Sequence, residues 1–282
     1  MSATTHPVSI APTRSIGGGF NRGLLLVGLI AIVAGCRSPR QAEAPIRPHL
    51  CVLTYNVDWS CARPELAVQI IRESRADIVC LQETTPQWEQ FLRQSLGHDY
   101  PFAEFRESKN RFGGGLAFLS KFPAREIALV PSETGWFDGW IMGFETLIGS
   151  LQVLNVHLHP PVSDNGGSVR GYLFTRDDRL QEMKRFYGQR RSEIPMLIAG
   201  DFNDGEDSAV QQWLKKQGMT NALPEFDRDS PTWRWRSGIL SLTRRMEHIV
   251  YSPGLHCCSA RVIREGASDH FPVEGVFIRA DP

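Results

Sequence analysis

The segment IPMLIAGDFND, residues 194–204, constrains this chain more than any other. Its apolar run reads as a fully buried strand that breaks at Gly200 into Asp201, Phe202, Asn203 and Asp204. Gly, Asn and Asp favour turns for simple backbone reasons. A turn leaves unexplained why a buried strand should end in three side chains that take oxygen ligands or protons.

The same ending recurs along the chain. LCVLTYNV (50–57) reads as a strand from its β-branched and aromatic residues, and it ends on Asn56 with Asp58 just beyond. ADIVCLQE (76–83) is a buried strand ending at Glu83, and SLQVLNVHLHP (150–160) carries Asn155, His157 and His159. A strand around MEHIVYS (246–252) brings Glu247 and His248, and the loop GASDHFPV brings Asp269 and His270. Taken singly, each is more often a turn residue, a helix cap or a structural histidine. Six such endings together point to one sheet edge, which is where open α/β folds build their sites.

Helical patterns lie between the strands. PELAVQIIRESR (64–75) opens on Pro64 and puts Leu66, Ile70 and Ile71 on one face. TPQWEQFLRQSL (85–96) turns Trp88, Phe91 and Leu92 inward, and further helices are expected over 168–191 and 206–218. Strands are expected at 113–123, 140–150, 258–265 and 271–278. Strand and helix alternate early and strands cluster late, which favours a mixed α/β sheet system with helices outside. No repeat or second linker divides residues 49–282, so they read as one domain.

The N-terminus is different. Arg14 and Arg22 precede GLLLVGLIAIVAGC, an apolar run too short for a comfortable membrane span, with no acid before Cys36. The ending Val33-Ala34-Gly35-Cys36 resembles a bacterial lipobox, in which the cysteine is lipidated. Residues 1–35 are then a lipoprotein signal peptide and 36–48 a lipid tether and polar linker, leaving a mature chain of 282 − 35 = 247 residues. The alternative is an uncleaved anchor. Either way the domain is expected outside the cytoplasm, lipid-anchored to a bacterial membrane on its periplasmic or cell-surface side.

Five further cysteines, Cys51, Cys61, Cys80, Cys257 and Cys258, leave an odd count and at least one free thiol or intermolecular bond. Cys80 sits in an apolar strand as a small core residue. Lys plus Arg equals Asp plus Glu at 31 each, so no field concentrates nucleic acid, and a tight sequence-independent DNA binder is disfavoured.

In this order, NVD, LQE, NVHL, GDFND and SDHFP, spread over residues 56–273, resemble the endonuclease/exonuclease/phosphatase superfamily. The resemblance implies a four-layer α/β/β/α sandwich, two mixed β-sheets packed face to face with helices outside. It implies Mg²⁺ or Mn²⁺ held by Glu83, helped by Asn56 or Asp58 and by Asp269, with a second metal position near Asp201 and Asn203. By the same resemblance His270 and His157 handle protons and phosphate, Asp201 orients or deprotonates water, and Asn203 holds transition-state oxygens. The chemistry agrees: phosphate-ester hydrolysis needs neutralised phosphoryl oxygens and an activated water, and carboxylate oxygens suit a hard cation.

One motif departs from the family pattern. Arg245-Met246-Glu247-His248 has glutamate where the family carries the aspartate that bonds the catalytic histidine. Glu247 is one methylene longer and can accept the same bond with the ring placed differently. His157 and His159 form a zinc-like H-x-H pair, but Pro160 and Pro161 stand where an acid would follow.

Substrate identity is thinly written. Trp-rich loops at 133–140 and 231–236 either grip a ring, base or lipid or simply pack, and Asn155, Trp233 and Arg234 are the candidate substrate contacts. The expectation is a monomeric metal-dependent phosphodiesterase or phosphatase acting on a phosphate ester. An extracellular or periplasmic endonuclease on DNA or RNA comes second, and a catalytically inactive surface binding protein third.

Overall fold

The computed structural model describes residues 47–108, 113–161, 175–237 and 240–281. Its first apolar runs, β1 (Leu50–Asn56) and β2 (Ile78–Thr84), pair in parallel. A parallel pair needs a crossover, and α1 (Pro64–Ser74) provides it. After β2, Thr85 caps α2 (Pro86–Leu96) by accepting a hydrogen bond from the Trp88 N–H at 3.2 Å. With β3 (Phe102–Arg106), β4 (Gly115–Ser120), β13 (Leu255–Val262) and β14 (Val273–Arg279), these strands form a six-stranded sheet ordered β13-β14-β1-β2-β4-β3.

The second sheet has the same design. β7 (Gly149–His157) and β8 (Met196–Asp201) pair in parallel, with α3 (Arg176–Tyr187) between them in sequence. They are joined by β5 (Ala124–Val130), β6 (Gly139–Thr146), β9 (Thr220–Asn221) and β12 (Glu247–Tyr251) in the order β5-β6-β7-β8-β12-β9. Two short helices, α4 (Ala209–Lys216) and α5 (Leu223–Phe226), precede a separate ribbon of β10 (Trp233–Ser237) and β11 (Leu240–Arg244).

Three apolar layers make this a four-layer sandwich. Val52, Ile78, Phe118, Trp140, Val153 and Phe277 belong to the cluster between the sheets. Ile71, Trp88 and Leu92 of α1 and α2 cover Leu53, Val79 and Leu81 on the outer face of the first sheet. Met183, Phe186 and Leu214 of α3 and α4 cover Leu154, Val156 and Ile198 on the second. Alternate residues of one strand thus enter different layers, and both faces are dry, which is why β2 and β8 read as unbroken apolar runs.

Several expectations change. β3 and β5 are edge strands whose half-exposed side chains leave no apolar run to read. β8 does not break at Gly200 but runs through it to Asp201. A Cβ at Gly200 would lie 1.9 Å from the Val156 carbonyl oxygen, so this glycine serves close strand approach rather than a turn. The expected helix over 168–191 is seen from Arg176 to Tyr187, and residues 162–174 lie outside the described residues. So do the signal, the lipobox and Cys36. Cys51, Cys61, Cys80, Cys257 and Cys258 are all free thiols, and Cys80 is fully buried in the inner layer. Among the described residues, no helix is long and apolar enough to cross a membrane.

Candidate active site

Register creates the site. β7 pairs His157 with Asp201 of β8, and β12 pairs Glu247 with the same Asp201, so three functional side chains stand in one row across the second sheet. The first sheet presents Asn56 at the end of β1 and Glu83 near the end of β2. Glu83 occupies a bulge, where Gln82 pairs with Leu116 and Thr84 with Gly115, and its φ is +62°. Left-handed backbone at a glutamate costs on the order of 1 kcal/mol or more. Here the bulge re-aims the side chain out of the strand's alternation and into the cleft. Gly114 makes room for it, because a Cβ there would sit 2.5 Å from the Glu83 carbonyl carbon.

The two sheets then meet through hydrogen bonds. Asn56 Nδ2 donates to Glu83 Oε1 at 2.9 Å and to Asp201 Oδ2 at 3.2 Å. Asp201 Oδ1 accepts from the Asn203 N–H at 2.8 Å, and Asn203, at φ +49°, donates through Nδ2 to the Leu158 carbonyl at 2.9 Å. His157 Nε2 stands 3.5 Å from Asp201 Oδ2 and 4.0 Å from Glu83 Oε1. His270 is placed by Ser268, whose hydroxyl donates to the Asn56 carbonyl at 2.9 Å and accepts from the His270 N–H at 3.0 Å. The His270 Nδ1 makes a short hydrogen bond to Glu247 Oε1 and lies 3.7 Å from Asp201 Oδ2. Ligand atoms of Asp201, Glu247 and His270 all fall within 4.8 Å of one another. Glu83, His157, Asp201, Asn203 and His270 line one cleft of about 240 Å³.

Burial dominates the electrostatics. It pushes the Glu83 carboxyl above its usual range, against the Asn56 hydrogen bond. It pushes Asp201 up to about 7, opposed by the positive charge of His270 and aided by Glu247. Burial alone would lower His270, but the facing carboxylates of Glu247 and Asp201 outweigh it and hold this ring protonated, well above the ordinary value. His157 goes the other way, lowered by burial and then by the His270 charge, and stays neutral. Among the described residues, two buried atoms of this site, His157 Nδ1 and Glu247 Oε2, have no hydrogen-bond partner.

Some expected residues take other places. Asp58 points its carboxylate at its own turn, accepting from Ser60 N at 2.9 Å and Ser60 Oγ at 2.7 Å. The side-chain oxygen of Asn56 accepts from the Asp58 N–H at 3.1 Å, so Asn56 faces the cleft with its amide nitrogen and clamps two carboxylates together. Asn155 is no substrate contact. It is fully buried, and its Nδ2 donates to the carbonyls of Leu81 and Ala117 at 3.1 and 3.0 Å, tying the sheets together. Trp233 and Arg234 do not line the cleft either. Trp233 Nε1 donates to Asp269 Oδ2 at 2.9 Å, and the Arg234 guanidinium stacks 4.7 Å above the Phe271 ring, so both brace the loop that carries Asp269 and His270. Asp269 Oδ1 lies 3.8 Å from His270 Nε2.

Other contributors left little trace in the sequence. The Phe137 ring lies flat on His157, 3.7 Å between centroids and 7° between planes. Asp204, the second polar residue after β8, receives the Nε of the fully buried Arg179 at 3.2 Å and braces the loop from behind. Buried Glu182 accepts from the His159 N–H at 2.8 Å, and His159 Nδ1 sits 2.8 Å from the Pro160 carbonyl. The Trp-rich loop at 133–140 was the one readable sign of Phe137.

Residues 53–270 match the sequence model of the Endonuclease/Exonuclease/phosphatase family, and the chain belongs to that family. Its members hydrolyse phosphoric esters, typically with a divalent metal. Among solved structures the chain is similar to an endonuclease/exonuclease/phosphatase from Beutenbergia cavernae DSM 12333, with 18% identity over 83% of this chain and 72% of that one and a TM-score of 0.66. It is similar to truncated Caenorhabditis elegans TDP2, with 17% identity over 82% and 98% of the two chains and a TM-score of 0.61. It is also similar to ANGEL2, a 2′,3′-cyclic phosphatase, with 15% identity over 83% and 97% and a TM-score of 0.63. At such identities the structural likeness speaks to the fold alone. No curated protein matches the chain.

Proposed function

We propose that the protein is a Mg²⁺- or Mn²⁺-dependent phosphodiesterase or phosphatase, exported and tethered to a bacterial membrane through a lipid on Cys36. One observation carries the enzymatic reading. Glu83, His157, Asp201, Asn203 and His270, drawn from two sheets and a late loop, line the same cleft.

The donor set suits a hard cation. Burial raises both Glu83 and Asp201 by more than the nearby His270 charge offsets, and among the described residues Glu247 Oε2 is buried without a partner. Glu83 and Asp269 would hold the ion, with Asn56 fixing the Glu83 carboxylate and Asp201 close by. When bound, such an ion supplies neutralisation of phosphoryl oxygens and a more acidic water.

The rest falls to the chain. His270, held at Nδ1 by Glu247 and kept protonated, presents Nε2–H to a phosphoryl or leaving oxygen. Asp201, lifted toward neutrality and fixed by the Asn203 and Asn56 hydrogen bonds, takes the proton of the attacking water. His157 stays neutral under Phe137 and offers a hydrogen bond without adding charge.

The test is hydrolysis of bis(p-nitrophenyl) phosphate by the purified chain. We expect turnover with Mg²⁺ or Mn²⁺ that EDTA stops and Asp201→Ala removes. Absence of turnover with either metal across aryl esters, nucleic acids, sphingomyelin and inositol phosphates would defeat the enzymatic reading. For the anchor, radiolabelled palmitate should enter the wild type and not Cys36→Ser, and equal labelling would refute it.

A further inference from the structure

Single exposed apolar side chains are ordinary on a protein surface. Trp59 differs by position. It is 49% exposed, and among the exposed large hydrophobics of the described residues it alone lines the cleft that holds Glu83, Asp201 and His270.

The backbone that carries Trp59 is pinned on every side. Its own N–H donates to Glu83 Oε2 at 3.2 Å. Asp58 before it has φ +59°, and its carbonyl accepts from Cys61 N at 3.0 Å and from Trp88 Nε1 at 3.2 Å. The backbone N–H that orients the Glu83 carboxylate therefore belongs to the residue that carries a large flat ring into the cleft. Trp136, half-buried, lines the same cleft with its ring 6.0 Å from Phe137 and 5.4 Å from His159. Phe137 in turn lies on His157, and a Cβ at Gly113 would come within 2.8 Å of the Phe137 ring, so this wall is packed in place. A small cleft of carboxylates and imidazoles, lined by two indoles, suits a ligand charged at one end and planar at the other.

We propose that Trp59 and Trp136 form a stacking platform for an aromatic ring carried by the substrate, so that the preferred ester joins its phosphate to a ring-bearing group of the nucleoside kind. The inference rests on the phosphate-ester reading of the site. Stacking on an aromatic side chain is insensitive to which base is present, so the platform selects rings over ring-free esters rather than one nucleotide over another.

Calorimetric titration of the full-length chain in Mg²⁺ tests this without requiring turnover. The probes are adenosine 5′-monophosphate and ribose 5-phosphate, which share phosphate and sugar and differ by the base. Wild type should bind the nucleotide about tenfold or more tightly than the sugar phosphate. Trp59→Ala should bring that ratio near one, Trp59→Phe should keep most of it, and Trp136→Ala should reduce it. Ribose 5-phosphate affinity should stay within about twofold in all three, which separates a lost platform from a damaged fold. Equal affinities in the wild type, or a ratio that survives Trp59→Ala, would overturn the platform while leaving the phosphate site intact. Binding of neither probe would remove the phosphate-ester reading and this inference together.

Discussion

Two layers of buried polar groups, one strand step apart, are treated in opposite ways. Inside the sandwich, Gln82 Nε2 donates to Asn155 Oδ1 at 2.7 Å and to Thr54 Oγ1 at 3.1 Å, while both amide hydrogens of Asn155 go to backbone carbonyls. At the rim, His157 Nδ1 and Glu247 Oε2 are just as buried and have no partner among the described residues. An unmade hydrogen bond in such a place costs about 1–3 kcal/mol. The inner layer uses polarity to register two sheets, and its valences are filled. The rim keeps valences open beside carboxylates that burial has already strained, which is the signature of groups awaiting a ligand rather than holding a fold.

The comparison breaks most visibly by mutation on each side. His270→Ala should lower the rate by about 10³-fold, since it removes a charged donor at the phosphate. A rate within tenfold of wild type would show that His270 is structural, like Asn155. Conversely, Asn155→Leu removes the shortest of the Gln82 Nε2 hydrogen bonds and takes the side-chain donor from the carbonyls of Leu81 and Ala117. It should cost about 4 kcal/mol in urea unfolding, with kcat within threefold wherever the variant is folded.

A third buried group sharpens the contrast through pH. His248 neighbours Glu247 in β12 but points to the opposite face, with Nε2 3.0 Å from the Asp204 carbonyl and Nδ1 3.0 Å from Asn221 Nδ2. Because Asn221 Oδ1 accepts from Leu223 N, its Nδ2 must face the ring, and His248 is fixed as the neutral tautomer with its proton on Nε2. Burial lowers this histidine from 6.5 to about 4. The unfolded chain therefore takes up a proton that the folded chain refuses. The stability is fully present above about 6.5 and is lost as pH falls toward 4, by up to about 3 kcal/mol. Urea midpoints at pH 7 and pH 4.5 should separate more for wild type than for His248→Gln. Equal separations would show that the ring is not held neutral.

Much of this was legible along the chain, and the reasons for the rest are geometric. The strand-end residues could be read because buried strands advertise themselves and their polar terminations stand out. Depth was not legible. Asn155 and His157 are two residues apart, so period-two alternation puts them on one face of β7, and only the position of the rim distinguishes a sheet tie from a site residue. Nor could spacing tell Asn56 from Asp58, because the choice depends on Asp58 turning back to Ser60 through a left-handed backbone. The placement of Trp59 and Phe137 beside the site was illegible for another reason. They contact the site through neighbours brought from elsewhere in the chain, Glu83 and His157 respectively.

The smallest effect concerns the length of the Glu247 side chain. Thr232 anchors the strand here: its Oγ1 accepts from the N–H of Met246 at 2.7 Å and from that of Glu247 at 3.1 Å, fixing the backbone from which the side chain reaches His270. With that backbone fixed, a side chain one methylene shorter cannot hold Nδ1 without shifting the ring from its place 3.7 Å from Asp201. Glu247→Asp should therefore lower kcat about fivefold and leave KM within twofold, whereas Glu247→Gln, equal in length but uncharged, should lose more. Steady-state kinetics on one aryl ester distinguishes the two. If the aspartate variant matched or exceeded wild type, the longer arm would carry no tuning, and the open valence at Oε2 would be a tolerated defect rather than part of the site.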